Sequence, residues 1–168
     1  MIEIESWRDG RPGLASLEPS DGELLGRLFS RLSPESVYRR FFSPIPNPDY
    51  FIKLLLRVDR YDREAIVAVE GGEIVGVAQY SRLPGACQAD LAIVVADGWQ
   101  RQGLATRLIT VLAERAVAHG INTFAVAIQS DNFGAQRLFT RIAPGARLAF
   151  SGGVGEGVIQ LATENGHE

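Results

Sequence analysis

Chemistry is concentrated in one stretch of this sequence, DLAIVVADGWQRQGLAT, from Asp90 to Thr106. It opens with a carboxylate at the head of an apolar run and closes with a glycine-containing segment that leads into a helical pattern. If LAIVV is a strand and the helix starts between Gln100 and Gly103, the N–H groups of the first helical turn lack partners and point back beside the strand end. With the positive end of the helix dipole they form an anion site. Gly103 has no Cβ, so a phosphate can approach the backbone closely; Ala105 is nearly as small, and Thr106 adds a hydroxyl. Neither the G-x-G-x-x-G spacing of a dinucleotide site nor the G-x-x-x-x-G-K-[ST] spacing of a triphosphate site is present. On spacing alone, a phosphate site and an ordinary strand-to-helix crossover both remain open.

Those residues need elements to position them. REAIVAVEGGEIVGVAQYSR reads as two apolar strands around Gly71-Gly72, which can take the positive φ angles of a tight hairpin turn. DLAIVV is a buried strand, GLATRLITVLAERAVAHG a helix with Leu104, Leu108, Val111, Leu112 and Ala116 on one face, and INTFAVAIQ a further buried strand. SDNFGAQRLFTRI reads as a capped helix, and ARLAFSGGVGEGVIQLA as a last strand pair around a glycine-rich turn. Upstream, IEIESW and PGLASLEP form two short strands around RDGR. Three short helices follow: one capped by Ser20 with Glu23 as capping box, one capped by Ser33 with Pro34 at its first position, and one begun by Asn47 and Pro48. Hairpins followed by strand-helix-strand-helix predict an α/β fold on one sheet of mixed direction.

Composition narrows the function. The chain has 168 residues, 46% of them hydrophobic, which suits a single domain (1–168) with a conventional core and a short tail at 163–168. A net charge of −3 supplies no basic field for nucleic acid or an anionic membrane. The apolar runs are far shorter than the roughly 20 residues of a membrane helix. The first ten residues have neither a basic nor an apolar signal region, so no export is expected. Cys87 is the only cysteine, which excludes an internal disulfide and a cysteine-based zinc site, and suits a cytoplasmic setting. No metal is expected. Oligomeric state is not encoded in any of these patterns.

QRQGLA, from Gln100 to Ala105, matches the [QR]-x-x-G-x-[GA] segment of the GNAT superfamily of N-acetyltransferases, and NFGAQRLF, from Asn132 to Phe139, resembles its N-x-x-A-x-x-L-[YF] segment. The likeness runs from about Arg11 to Ala162. RLSPESVYRRFFSP, DREAIVAV and ADLAIVVADGWQRQGLAT resemble, more narrowly, the bacterial protein lysine acetyltransferases. The resemblance implies a mixed, mostly antiparallel sheet with a central splayed parallel strand pair, flanked by helices. It implies acetyl-CoA as acyl donor, its pyrophosphate held by main-chain N–H groups of Arg101, Gln102, Gly103, Leu104, Ala105 and Thr106. Asn132 would contact the CoA arm, Phe139 would lie beside the thioester, and a main-chain N–H among Ile93, Val94 and Val95 would meet the carbonyl oxygen.

The reaction so implied is attack by a primary amine on a thioester. A lysine amine has a pKa near 10.4, so only about one in a thousand is neutral at neutral pH and a base is needed. The lysine acetyltransferases carry A-E-x-A at the head of this strand; here Ala89, Asp90, Leu91 and Ala92 stand there, and Asp90 is the candidate base, acting directly or through a water. Where many members have a tyrosine that protonates the leaving thiolate, this chain has Phe139. Tyr80 and Ser130 are substitutes better explained structurally, and thiolate departure needs little help because a thiol pKa is only about 8.5. His119 reads as a helix-end residue and His167 as tail. The expected activity is N-acetylation of a protein lysine. The alternatives are a small-molecule amine as acceptor, or a non-catalytic acyl-CoA-binding domain.

Overall fold

A computed structural model describes residues 1–41 and 48–161. Asn47, expected to begin the third helix, and the tail at 163–168 lie outside the described residues. Eight strands form one sheet: β1 (Ile2–Glu5), β2 (Gly13–Ser16), β3 (Arg63–Glu70), β4 (Glu73–Ser81), β5 (Gln88–Val95), β6 (Thr123–Gln129), β7 (Ala149–Ser151) and β8 (Val154–Gln160). Their order across the sheet is β1-β2-β3-β4-β5-β6-β8-β7. Every neighbouring pair is antiparallel except β5 and β6. The expected hairpin closes at Gly71 and Gly72 with φ of 57° and 77°, the paired left-handed geometry that matches strand twist.

The helices are α1 (Gly22–Arg31), α2 (Pro34–Phe41), α3 (Pro48–Leu55), α4 (Leu104–Ala118) and α5 (Phe133–Ile142). β3 and β4 are buried on both faces, with Ile66, Ile74, Ala78 and Tyr80 fully inaccessible. α1 packs on β4 and α3, α2 on β5, and α4 on β3, β4 and β5. On β4 a side chain at Gly76 would meet Leu104 and Leu108 of α4 at 3.3–3.5 Å, which sets how closely the helix lies on the sheet. Among the described residues no helix is long and apolar enough to cross a membrane.

One local expectation is corrected. α1 is not capped by Ser20 with Glu23: a 3₁₀ turn at Pro19–Asp21 precedes it, and the Asp21 carboxylate accepts the Glu18 N–H at 2.8 Å. Pro19, with φ already fixed and no N–H to satisfy, starts the turn early and moves the capping box back two residues. The Ser33 cap holds, accepting the Ser36 N–H at 3.1 Å with Pro34 opening the helix.

Candidate active site

Two strands part where the chemistry was expected. β5 and β6 pair only at Gln88–Thr123, Ala89–Phe124 and Asp90–Ala125; beyond that β5 follows β4 to Val95 and β6 follows β8 to Gln129. Backbone direction alternates along a strand. Ala96 donates to Val75 beside β4 at 2.9 Å and Cys87 accepts from Asn122 beside β6 at 2.8 Å, so the odd-numbered residues of β5 turn their polar groups toward β6. Past Asp90 that partner has gone, and the N–H groups of Ile93 and Val95 face an open split. The Val95 carbonyl is taken by Gln100 Nε2 at 3.0 Å. Val94 borders the split too, with its main chain turned to Val77 on β4.

Two clefts open from the split. The first, of about 680 Å³, lies between the end of β5, the start of α4 and one face of α5; it brings together Arg101, Gly103, Leu104, Ala105, Thr106 and Asn132. The second, of about 670 Å³, holds Asp90 and Phe139. They meet along Arg39, Ile93, Asn132, Ala135 and Leu138. Gln102 lines neither, because its Nε2 donates back to the Gly98 carbonyl at 3.0 Å.

The first cleft is built for an anion. Arg101 and Gly103 take positive φ, 62° and 79°, a strained conformation for the arginine. Left-handed residues in such a turn gather N–H groups into a concavity, and the open first turn of α4 adds its own donors. Nothing lies within 4 Å of the place a Gly103 Cβ would take. Thr106 Oγ1 is buried without a hydrogen-bond partner among the described residues. These features fit a phosphate ligand such as the pyrophosphate of acetyl-CoA.

The turn is braced by contacts that the sequence did not reveal. Ser36 donates to Asp97 Oδ1 at 2.7 Å, the Ser33 N–H to Asp97 Oδ2 at 3.3 Å, and Gln100 Nε2 to Ser36 Oγ at 3.3 Å, tying α2 to the turn after β5. The Ser36 hydroxyl, with Ser33, holds the Asp97 carboxyl below its ordinary range. Only the serine cap of α2, Ser33, was visible beforehand; its partner Asp97 lies 64 residues away.

In the second cleft Asp90 is exposed, and its carboxylate makes no ion pair or hydrogen bond among the described residues. Register places Ala125 beside Asp90 and Ala127 beside Glu156. The two carboxylates therefore share one face of the sheet, with alanines between them. Glu156 escaped the sequence reading because it stands in an ordinary exposed position of β8. Asn132 caps α5, its Oδ1 accepting the Ala135 N–H at 3.2 Å, which leaves its NH₂ group as a donor where the clefts meet. Phe139 is buried over Gly157, whose missing side chain makes room for the ring: a Cβ there would stand 2.8 Å from Phe139 Cζ.

The substitutes for a tyrosine at Phe139 lie elsewhere. Tyr80 is fully buried and donates to the Tyr61 carbonyl at 3.1 Å; burial, with the Glu64 carboxylate nearby, pushes its phenol up to about 12. Ser130 and the exposed Cys87 line neither cleft. His119 ends α4, where its carbonyl accepts from Arg82 at 2.7 Å.

Comparison with known proteins bears on this geometry. The model of the Acetyltransferase (GNAT) family matches residues 21–143. A curated relative, Acetyltransferase Pat of Mycolicibacterium smegmatis, is 28% identical over 113 residues, 66% of this chain and 34% of the relative. The chain thus spans about a third of that protein's length. Among solved structures, the GNAT domain of S. lividans PAT superposes with a TM-score of 0.86 at 27% identity, covering 95% of this chain and 97% of that one. A cAMP-binding acyltransferase from Mycobacterium smegmatis gives 0.65 at 25% identity, over 96% of this chain and 47% of that one. Salmonella typhimurium yncA, solved with its cofactor acetyl-CoA, shares the fold, with a TM-score of 0.68 at 16% identity over 92% of this chain and 95% of that one.

Proposed function

The chain belongs to the GNAT family of acetyltransferases, and within that family we propose that it is an acetyl-CoA-dependent N-acetyltransferase whose acceptor is a protein lysine. One observation carries the proposal: the Asp90 carboxylate, without a partner among the described residues, stands where β5 and β6 part, and the same strand leads at its other end into the Arg101–Thr106 anion cradle. The likeness to Acetyltransferase Pat and to the GNAT domain of S. lividans PAT supports the choice of protein lysine over a small amine.

Acetyl-CoA, when bound, supplies an activated acetyl group as a thioester. The chain's residues do the rest. The N–H groups at the start of α4 hold the diphosphate, and the Asn132 amide donates to the CoA arm. Ile93 and Val95 present N–H donors to the carbonyl oxygen, where negative charge develops during attack. Asp90 accepts the ammonium proton of the acceptor, directly or through a water, since an aspartate is one methylene shorter than a glutamate. Such a base contributes about 10²- to 10⁴-fold.

A second reading, a non-catalytic acyl-CoA-binding domain, draws on the second cleft, where the described lining residues include no hydroxyl to protonate a leaving thiolate. Thiol release from acetyl-CoA against a panel of proteins and small amines separates the readings. On an acceptor so found, Asp90→Asn should keep acetyl-CoA affinity and lower kcat/KM by about 100-fold, recovering toward wild type at high pH as more amine is already neutral. A deficit independent of pH makes Asp90 structural. Turnover on no acceptor favours the binding domain.

A further inference from the structure

Three guanidinium groups in the first cleft, those of Arg101, Arg137 and Arg141, make no ion pair or hydrogen bond among the described residues. Elsewhere the chain engages this side chain readily: Arg27, Arg31, Arg82, Arg107 and Arg115 each hold a carboxylate. Arg137 and Arg141 lie one turn apart on α5, and Phe133 one turn before them, so the three share a helix face. All three line the cleft and are exposed, Phe133 at 63%. The only carboxylate among the described lining residues is Asp131. In a chain of net charge −3 this is a local excess of positive charge, and like charges gathered in one cleft repel until an anion arrives.

The cradle at Arg101–Thr106 provides for one diphosphate, and α5 stands on another wall of the same cleft. Coenzyme A carries a second anionic group, the phosphate on its ribose 3′ oxygen, beside a purine ring. We propose that Arg137 and Arg141 form a subsite for this 3′-phosphate, with the Phe133 ring offered to the base, so that the protein selects coenzyme A over dephospho-coenzyme A. The inference rests on the acetyl-CoA reading above and adds to it a specificity carried by α5. A guanidinium fork makes charge-assisted hydrogen bonds to phosphate; a ring face exposed to solvent can stack on a base.

Calorimetric titration of the protein with coenzyme A and with dephospho-coenzyme A tests this without turnover. Wild type should bind coenzyme A about 10- to 100-fold more tightly, a margin set by one or two charge-assisted contacts. In the Arg137→Gln/Arg141→Gln double variant that ratio should fall to near one, through loss of coenzyme A affinity, while dephospho-coenzyme A binding changes little. Arg8→Gln/Arg11→Gln, which removes the same charge from exposed positions outside both clefts, should keep the wild-type ratio. A ratio near one in wild type, a ratio that survives in the α5 variant, or an equal loss in the charge control each overturns the 3′-phosphate subsite and leaves the cofactor reading standing. Absence of coenzyme A binding by wild type overturns the cofactor reading itself, and this inference with it.

Discussion

The two ends of α4 treat their polar groups in opposite ways. At the N-terminal end, among the described residues, the first-turn N–H groups are open, Thr106 Oγ1 is buried without a partner, and Arg101 sits in a strained turn with its guanidinium unengaged. At the C-terminal end Tyr80 donates to the Tyr61 carbonyl, and Arg115 reaches Ser16 at 3.1 Å and Glu64 at 3.4 Å. There Arg82 also binds Asp62 at 2.7 Å and the His119 and Ala86 carbonyls, while lying 4.7 Å from the Tyr61 ring centroid. A fold buries polar groups by pairing them. Donors that are aimed and left unpaired, on strained backbone, persist where a ligand completes them. The same helix is thus a structural strut at one end and a binding element at the other.

The sharpest way to break this comparison is Gly103→Asp. The space beside Gly103 is empty, so the fold should survive, with Tm lowered by a few degrees for the left-handed backbone, about 1 kcal/mol. A carboxylate placed among donors meant for phosphate should cut acetyl-CoA affinity by about 100-fold or more, which titration calorimetry reads directly. Unchanged affinity in the folded variant would show that the open end of α4 is not an anion site.

Arg82→Ala is the counterpart at the closed end. Its side chain is 4% exposed, and its loss strands the Ala86 and His119 carbonyls, whereas Asp62, at 25% exposure, can turn to water. That places the cost near the lower edge of a broken buried pair, about 2–3 kcal/mol, or roughly 5–10 °C in Tm. Acetyl-CoA affinity of the folded protein should hold within about two-fold, since no contact of Arg82 reaches either cleft. A large loss of affinity at unchanged Tm would make the closed end part of the binding site.

How far each end was legible in the sequence follows from how local its interactions are. The open end is written in contiguous residues: an apolar strand, a turn, and a glycine opening a helix from Leu104 to Ala118. Pattern and spacing therefore drew attention to this turn as a possible phosphate cradle, and the family resemblance implied the split strand pair beside it. What escaped depends on residues distant in sequence. Asp97 is fixed by Ser33 and Ser36 of another helix, and Glu156 faces Asp90 only because β8 folds back beside β6. Nothing in the local pattern of α5 marks Arg137 and Arg141 as lining the cleft; only the packed helix does. The closed end was illegible for the same reason. Glu64 is a carboxylate at a strand start, DREAIVAV, yet it is 1% exposed, beside Tyr80 in the sheet and under Arg115 of α4.

Glu64 also offers the finest test of the closed end. Burial pushes its carboxyl above the ordinary range, opposed by the Ala65 N–H at 3.1 Å and by the nearby charges of Arg115 and Arg60. An unfolded chain releases this proton near pH 4.3, the folded one only at higher pH. Between those values the folded state binds more protons, so the Glu64 contribution to stability falls as pH rises through the folded pKa. Glu64→Gln keeps an acceptor for the Ala65 N–H and removes the titration, at the cost of the attraction to Arg115. The variant should lie within about 1 kcal/mol of wild type at neutral pH, and its Tm relative to wild type should be higher at pH 8 than at pH 4. Acetyl-CoA affinity should not change. A relative Tm that is flat across this range, or highest in acid, would mean that Glu64 titrates as a solvated carboxylate does, and that the C-terminal end of α4 is wetter than its paired groups imply.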